Sequence, residues 1–342
     1  MIPFEWFPGA RADIGSGRIR ILNGRASALG PFVPYFFFMN LQTTLPGGVL
    51  TAVLTPLKND LSIDHDALAA HCRWLLANGG DGIVVLGTTG EANSFTVEER
   101  LEAIDRIVRS GLPVDRLMIG TGCCAFPDTI RLTKFAVERG VGGILMLPPF
   151  YYKQVNETGL ARYFDLVISG VNDERLKIYL YNFPKLSGIG FSASFAGRLV
   201  REYPGIVVGM KDSSGDWEHM AEIIREIPGF KIYAGTEKLL LRILREGGAG
   251  CISATTNATI GMAARLFRNW RTDEADALQE QLTAVRNAFE GYPFTSALKQ
   301  MFFEWTKNPA WLNVRPPNSL IEAQEEKLLS DRLRSLGFSI EL

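Results

Sequence analysis

The sequence predicts an α/β protein, a (β/α)8 TIM barrel with a C-terminal helical extension. From Gly48 onward, eight short β-rich apolar runs alternate with segments of helical period, the pattern of βα units wound around a parallel sheet. No Gly-x-Gly-x-x-Gly follows the first run, which weakens the competing doubly wound sheet. The runs are Val49 to Leu54, Gly82 to Leu86, Leu117 to Gly120, Gly143 to Leu147, Lys177 to Tyr181, Ile206 to Met210, Lys231 to Ala234 and Gly250 to Ser253. Between them helix starts are readable. In Thr96-Val-Glu-Glu99 the hydroxyl can cap a backbone N–H and Glu99 can reciprocate. After Ala258 the pattern is mostly helical, around Asp273 to Phe289, Ser296 to Thr306 and Ser319 to Leu336. The expected division is an irregular extension over 1–45, a catalytic barrel over 46–260 and a helical region over 261–342.

The extension is rich in Gly, Pro, Arg and aromatic residues, holds no sustained period, and runs through Pro34-Tyr-Phe-Phe-Phe-Met39. Its order and spacing do not suit a secretory signal. Met39 stands just before the organised region, so one hypothesis starts translation there and leaves residues 1–38 untranslated. Across 342 residues, 36 basic side chains balance 37 acidic ones, which gives no global pull toward nucleic acid or an anionic membrane. The scatter of Arg11, Arg18, Arg20 and Arg25 lacks the interleaving of a nucleic-acid site and reads as a solvated tail. No apolar stretch reaches the roughly 18–20 residues of a spanning helix. Cys72, Cys123, Cys124 and Cys251 lack zinc spacing and suit reduced thiols in a cytosol. His65, His71 and His219 are scattered likewise, so neither metal nor cofactor is expected.

In a (β/α)8 barrel the chemistry sits at the C-terminal strand ends. Lys211 follows the run Ile206-Val-Val-Gly-Met210 and precedes Asp-Ser-Ser-Gly, so a strand delivers one amine into a polar loop. Desolvation there favours the neutral amine that a Schiff base with a carbonyl requires; the plain alternative is a solvated lysine closing a strand. After the second run comes Gly87-Thr88-Thr89-Gly90-Glu91. Its amides and hydroxyls suit a carboxylate, or they cap a tight turn. Pro149-Phe-Tyr-Tyr152 and Tyr181-Asn-Phe-Pro184 bring two phenols after the fourth and fifth runs, as proton carriers or as rings packed against loops.

Taken jointly, Gly87 to Glu91, Pro149 to Tyr152, Tyr181 to Pro184 and Gly209-Met-Lys-Asp-Ser-Ser-Gly215 make the chain resemble the dihydrodipicolinate synthase and N-acetylneuraminate lyase family of class I aldolases. The resemblance runs from about Leu45 to at least Thr259, and more loosely through the C-terminal helices. It implies an imine between Lys211 and the keto carbon of pyruvate or another 2-keto acid. It also implies acid/base work by Tyr181, a relay from Thr88 to Tyr152, and carboxylate binding by Thr89, Gly87 and the neighbouring amides. Ile252 would line the pocket through its backbone, with Ser213 and Glu237 as substrate-distal contacts. Tyr152 would cross to a neighbouring subunit, which implies a homodimer or a homotetramer built as a dimer of dimers; the expected compartment, from the cysteines, is the cytoplasm.

One position departs from the pattern. Synthases of the lysine pathway carry an arginine two residues after the proline of Tyr-Asn-x-Pro, and here that residue is Leu186. Leucine cannot replace a bidentate guanidinium, and Lys185, placed on an extended segment, would point the other way. The expected activity is therefore pyruvate-forming cleavage, or formation, of a hydroxylated 2-keto acid such as a 2-keto-3-deoxy sugar acid. The alternatives are 4-hydroxy-tetrahydrodipicolinate synthesis from pyruvate and aspartate semialdehyde, favoured by the Gly-Thr-Thr-Gly-Glu loop, and a catalytically silent keto-acid binder.

Overall fold

Eight parallel strands close on themselves in sequence order, each hydrogen-bonded to the next and the eighth to the first. The computed structural model describes residues 45–340; the expectations for residues 1–44, the start at Met39 among them, lie outside the described residues. The strands are β1 Gly48–Ala52, β2 Gly82–Val85, β3 Leu117–Gly120, β4 Gly143–Met146, β5 Ile178–Asn182, β6 Val207–Asp212, β7 Lys231–Ala234 and β8 Gly250–Ser253. All eight runs read from the sequence are strands. Leu45, assigned by the sequence to the extension, is fully buried, with Lys231 Nζ donating to its carbonyl. It plugs the N-terminal end of the barrel, beside the first residues of β4 and β7.

The helices are α1 His65–Ala77, α2 Val97–Arg109, α3 Phe126–Glu138, α4 Glu157–Val171, the four-residue α5 Pro184–Ser187, α6 Ala193–Glu202, α7 Trp217–Glu226, α8 Leu240–Arg245, α9 Thr256–Asn269, α10 Ala275–Ala288, α11 Phe294–Thr306 and α12 Ala323–Ser335. At α2 the expected capping box forms: Thr96 Oγ1 accepts from the Glu99 N–H at 3.2 Å, and the Glu99 carboxylate accepts from the Thr96 N–H at 2.8 Å. No described helix is long and apolar enough to cross a membrane. No group of three or more His, Cys, Asp or Glu able to hold a metal gathers among the described residues. The four cysteines are unpaired.

The barrel interior is packed rather than hollow, as the geometry of eight strands demands. Tyr179 and Tyr233 face each other with ring centroids 6.1 Å apart, among Leu50, Met118, Leu145 and Ile252. Room for Tyr179 comes from glycines on both neighbouring strands. A Cβ at Gly143 would stand 2.7 Å from its ring, and one at Gly209 2.5 Å. Outside the barrel, α10, α11 and α12 form a second core through Phe289, Met301, Phe302 and Leu329, and Leu54 and Ala258 belong to the same cluster. The helical region is thereby packed onto the end of β1 and onto α9, and α11 is apolar enough on several sides to be mostly buried.

Candidate active site

The loop after β2 is strained at both ends. Leu86 has φ 60° and Glu91 has φ 57°, left-handed values that cost a residue with a Cβ about 1–3 kcal/mol unless the surroundings impose them. Between them Gly90 approaches β1's continuation so closely that a Cβ would lie 2.8 Å from the Val53 carbonyl. Thr55 Oγ1 donates to the Gly90 carbonyl at 2.8 Å. The loop therefore holds Thr88 and Thr89 in one conformation over the C-terminal end of the barrel.

Lys211 and Tyr181 meet because their backbones are register partners in β6 and β5. The apolar run ends at Met210, and β6 continues two residues beyond it to include both Lys211 and Asp212. Lys211 is 4% exposed. Its Nζ donates to Tyr181 Oη at 3.3 Å and lies 4.4 Å from the centre of that ring. Tyr181 Oη is 3.4 Å from Thr88 Oγ1, and its ring stacks on Phe183. Amine, phenol and hydroxyl thus form a continuous line along which a proton can move. A cleft beside this line is bordered by Gly87, Thr88, Gly120, Gly122 and Tyr181. Ile252 is buried in the interior cluster, and Thr89 is buried with its carbonyl accepting from Thr295 Oγ1 at 3.3 Å.

Three sequence expectations meet a different geometry. Tyr152 is 73% exposed and packs edge-on against Tyr151, with ring centroids 5.2 Å apart; no hydrogen bond within the chain joins it to Thr88. Its loop is tied down by Lys153 Nζ, which donates to the carbonyls of Phe150 and Ser187. Glu237 is 0% exposed, and its carboxylate is taken up by the hydroxyls of Ser253, Thr255 and Thr259, with Arg286 Nε at 3.8 Å. A carboxylate so enclosed is held by its own donors, and Glu237 does not line the cleft beside Tyr181. Lys185 and Leu186 lie on the helical turn α5, not on an extended segment. Leu186 is 58% exposed, while Lys185 Nζ stands 3.6 Å from where a Cβ at Gly215 would be. Ser213 packs against Gly235 and donates its N–H to the Asn182 carbonyl at 2.8 Å.

The sequence also missed a polar cluster directly behind the lysine. Asp212 accepts from Asn182 Nδ2 at 2.9 Å, from the Ser214 N–H at 2.8 Å and from His219 Nδ1 at 2.7 Å. His219 Nε2 faces the Phe191 carbonyl at 2.7 Å. With an acceptor at each nitrogen, the ring is satisfied as an imidazolium. Burial pushes the Asp212 carboxyl up, but the hydrogen bonds from His219, Ser214 and Asn182 outweigh it and hold it below the usual 3.8. The bond to Asp212 raises His219 above 6.5 against the opposing effect of burial.

The raised imidazole contributes stability that is complete below pH 6.5 and lost as pH rises through its higher folded value. The depressed carboxyl contributes stability present above 3.8 and lost as pH falls through its lower folded value. Denaturant unfolding followed from pH 6 to about pH 9 should therefore show a decline in the native chain that is flattened in His219→Gln. An equal decline in both would show that another group causes it.

Comparison with known proteins decides the family. The model of the dihydrodipicolinate synthetase family matches residues 45–335. The chain belongs to this family. Among relatives of the dihydrodipicolinate synthetase family, a DapA-like lyase of Chloroflexus aurantiacus is 35% identical over 267 residues, 77% of this chain and 88% of that one. The crystal structure of dihydrodipicolinate synthase from Agrobacterium tumefaciens superposes with a TM-score of 0.79 at 30% identity, covering 84% of this chain and 99% of the other. YagE of E. coli K12, a prophage protein of the family crystallised in complex with pyruvate, gives 0.79 at 27% identity, covering 86% and 99%. In this chain Lys211, Tyr181 and Thr88 stand together at the C-terminal ends of its strands.

Proposed function

We propose that the protein is a class I aldolase that uses Lys211 to form an imine with pyruvate or a hydroxylated 2-keto acid. The observation that carries this reading is the buried Lys211 amine 3.3 Å from the Tyr181 phenol, with Thr88 Oγ1 3.4 Å beyond it. The amine adds to the C2 ketone, and the Tyr181 phenol gives its proton to the departing hydroxyl, so that water leaves and a protonated imine and a phenolate remain. Tyr181 takes the proton of the C4 hydroxyl, the C3–C4 bond breaks, and its electron pair moves through C2 onto nitrogen as an enamine. An aldehyde departs, C3 is reprotonated, and hydrolysis of the imine releases pyruvate and the free lysine. Thr89 and the amides of its loop bind the carboxylate, and Gly87 leaves space for it.

Leu186, exposed at the mouth on α5, supports an aldehyde partner that carries hydroxyls rather than a carboxylate, so a 2-keto-3-deoxy sugar acid is the preferred substrate. A second reading, condensation of pyruvate with aspartate semialdehyde, is supported by the Agrobacterium tumefaciens synthase and by Lys185 Nζ beside Gly215, a cation that could meet the second carboxylate. The outward Tyr151–Tyr152 pair supports completion of the site by a second copy of the chain, as a homodimer or homotetramer. Four unpaired cysteines suit the cytoplasm.

Incubation with pyruvate and borohydride, followed by peptide mapping, tests the chemistry. A reduced pyruvate adduct on Lys211 is expected. No adduct in the folded protein would overturn the aldolase reading in favour of a silent binder. Once the adduct is seen, pyruvate release from 2-keto-3-deoxygluconate against condensation with aspartate semialdehyde separates the two substrates.

A further inference from the structure

The strained loop carrying Thr88 and Thr89 is gripped from outside the barrel by the C-terminal region. Glu91, its last residue, is 4% exposed and in a left-handed conformation. Its carboxylate accepts from Lys299 Nζ of α11, from the Arg315 N–H at 2.8 Å and from Asn318 Nδ2 at 3.4 Å. Lys299 is fully buried and also donates to the Asn313 carbonyl at 2.8 Å. One turn further on, the Arg315 guanidinium donates to the Ser94 and Leu61 carbonyls and to the Glu99 carboxylate. Thr295, the second residue of α11, donates to the Thr89 carbonyl at 3.3 Å.

The directions of these bonds matter. Thr295 fixes the peptide plane between Thr89 and Gly90, and Thr55 fixes the one between Gly90 and Glu91. With both planes set and Glu91 anchored, the Thr89–Glu91 end of the loop is held from outside at three points. A buried ion pair is weak evidence for stability, since well-packed apolar residues often replace one at no cost. Positional constraint is what this pair adds. Left-handed residues with side chains persist only where neighbours impose them, and the groups that hold the Glu91 side chain come from positions 299 to 318.

We propose that Glu91, Lys299 and Thr295 are positioning residues, through which the C-terminal helical region sets the affinity of the Thr88–Thr89 loop for a keto-acid carboxylate. The proposal rests on the reading of Lys211 as the imine-forming lysine. None of the three touches the reacting atoms; each acts through the loop.

The test is borohydride trapping of pyruvate on Lys211, run as a function of pyruvate concentration, together with thermal unfolding. In Thr295→Val, which keeps shape and removes one neutral hydrogen bond, half-saturation should rise about three- to tenfold while trapping at saturation stays within about twofold. In Lys299→Met, which leaves Glu91 buried without its cation, half-saturation should rise at least about tenfold. Glu91→Gln combined with Lys299→Met removes both charges and keeps an acceptor for the Arg315 N–H, so half-saturation should return toward the native value. A purely structural role would lower the unfolding temperature and leave half-saturation unmoved in Thr295→Val, and that result overturns the proposal even if Lys299→Met fails to fold. Absence of any adduct on the native protein overturns the imine reading and this inference with it. An adduct whose half-saturation is indifferent to all three changes overturns the inference alone.

Discussion

Lys211→Met is expected to abolish pyruvate trapping and to lower turnover by at least about a thousandfold, because the covalent step has no substitute nucleophile. The side chain is 4% exposed and lies along the Tyr181 ring. Methionine matches its length without a buried charge, so the fold should survive, and unchanged circular dichroism would show that it does. Lys211→Arg should fail as well, since a guanidinium stays protonated and cannot add to a ketone. The other lysines nearby are committed elsewhere or out of line. Lys153 is spent on two carbonyls, and Lys185 Nζ stands beside Gly215. Full trapping on another lysine in Lys211→Met would remove the assignment.

Tyr181→Phe should lower kcat by about 10²–10³ with much less effect on KM, the signature of a proton carrier acting in the transition state. The phenyl ring keeps its stack on Phe183 and its place beside Lys211, so only the hydroxyl between Nζ and Thr88 Oγ1 is lost. Slow borohydride trapping should persist, which separates this variant from Lys211→Met. Equal losses in kcat/KM and in pyruvate half-saturation, with kcat untouched, would instead mark Tyr181 as a binding group.

The eight strands were legible because each is buried on both faces and so reads as an unbroken apolar run bounded by turns. Their ends were less so. Lys211 and Asp212 pair with Tyr181 and Asn182 across the sheet, and pairing between strands leaves no mark in the hydrophobic pattern of either one. The turn at Pro184 was read as extended because a helix of four residues is too short to show a period. Among the candidate site residues, Lys211, Tyr181 and Thr88 are marked by motifs at strand ends. Glu237 could not be judged the same way, since its fate depends on three hydroxyls contributed by the following strand and helix. The sequence pattern leaves Asp212 and His219 unmarked for a related reason. A histidine without metal-ligand neighbours in sequence looks idle until the fold sets a carboxylate at one nitrogen and a carbonyl at the other.

The Glu91–Lys299 pair spans 208 positions of the chain. A ribosome that has finished all eight strands has not yet made the residues that lock the loop after β2, since β8 ends at Ser253 and the lock begins at Thr295. The barrel can close before its binding loop is set. On the proposed reading, tight binding of the keto acid is therefore the last property the growing chain acquires, and it arrives with the helices that the strand pattern alone would mark as an appendix.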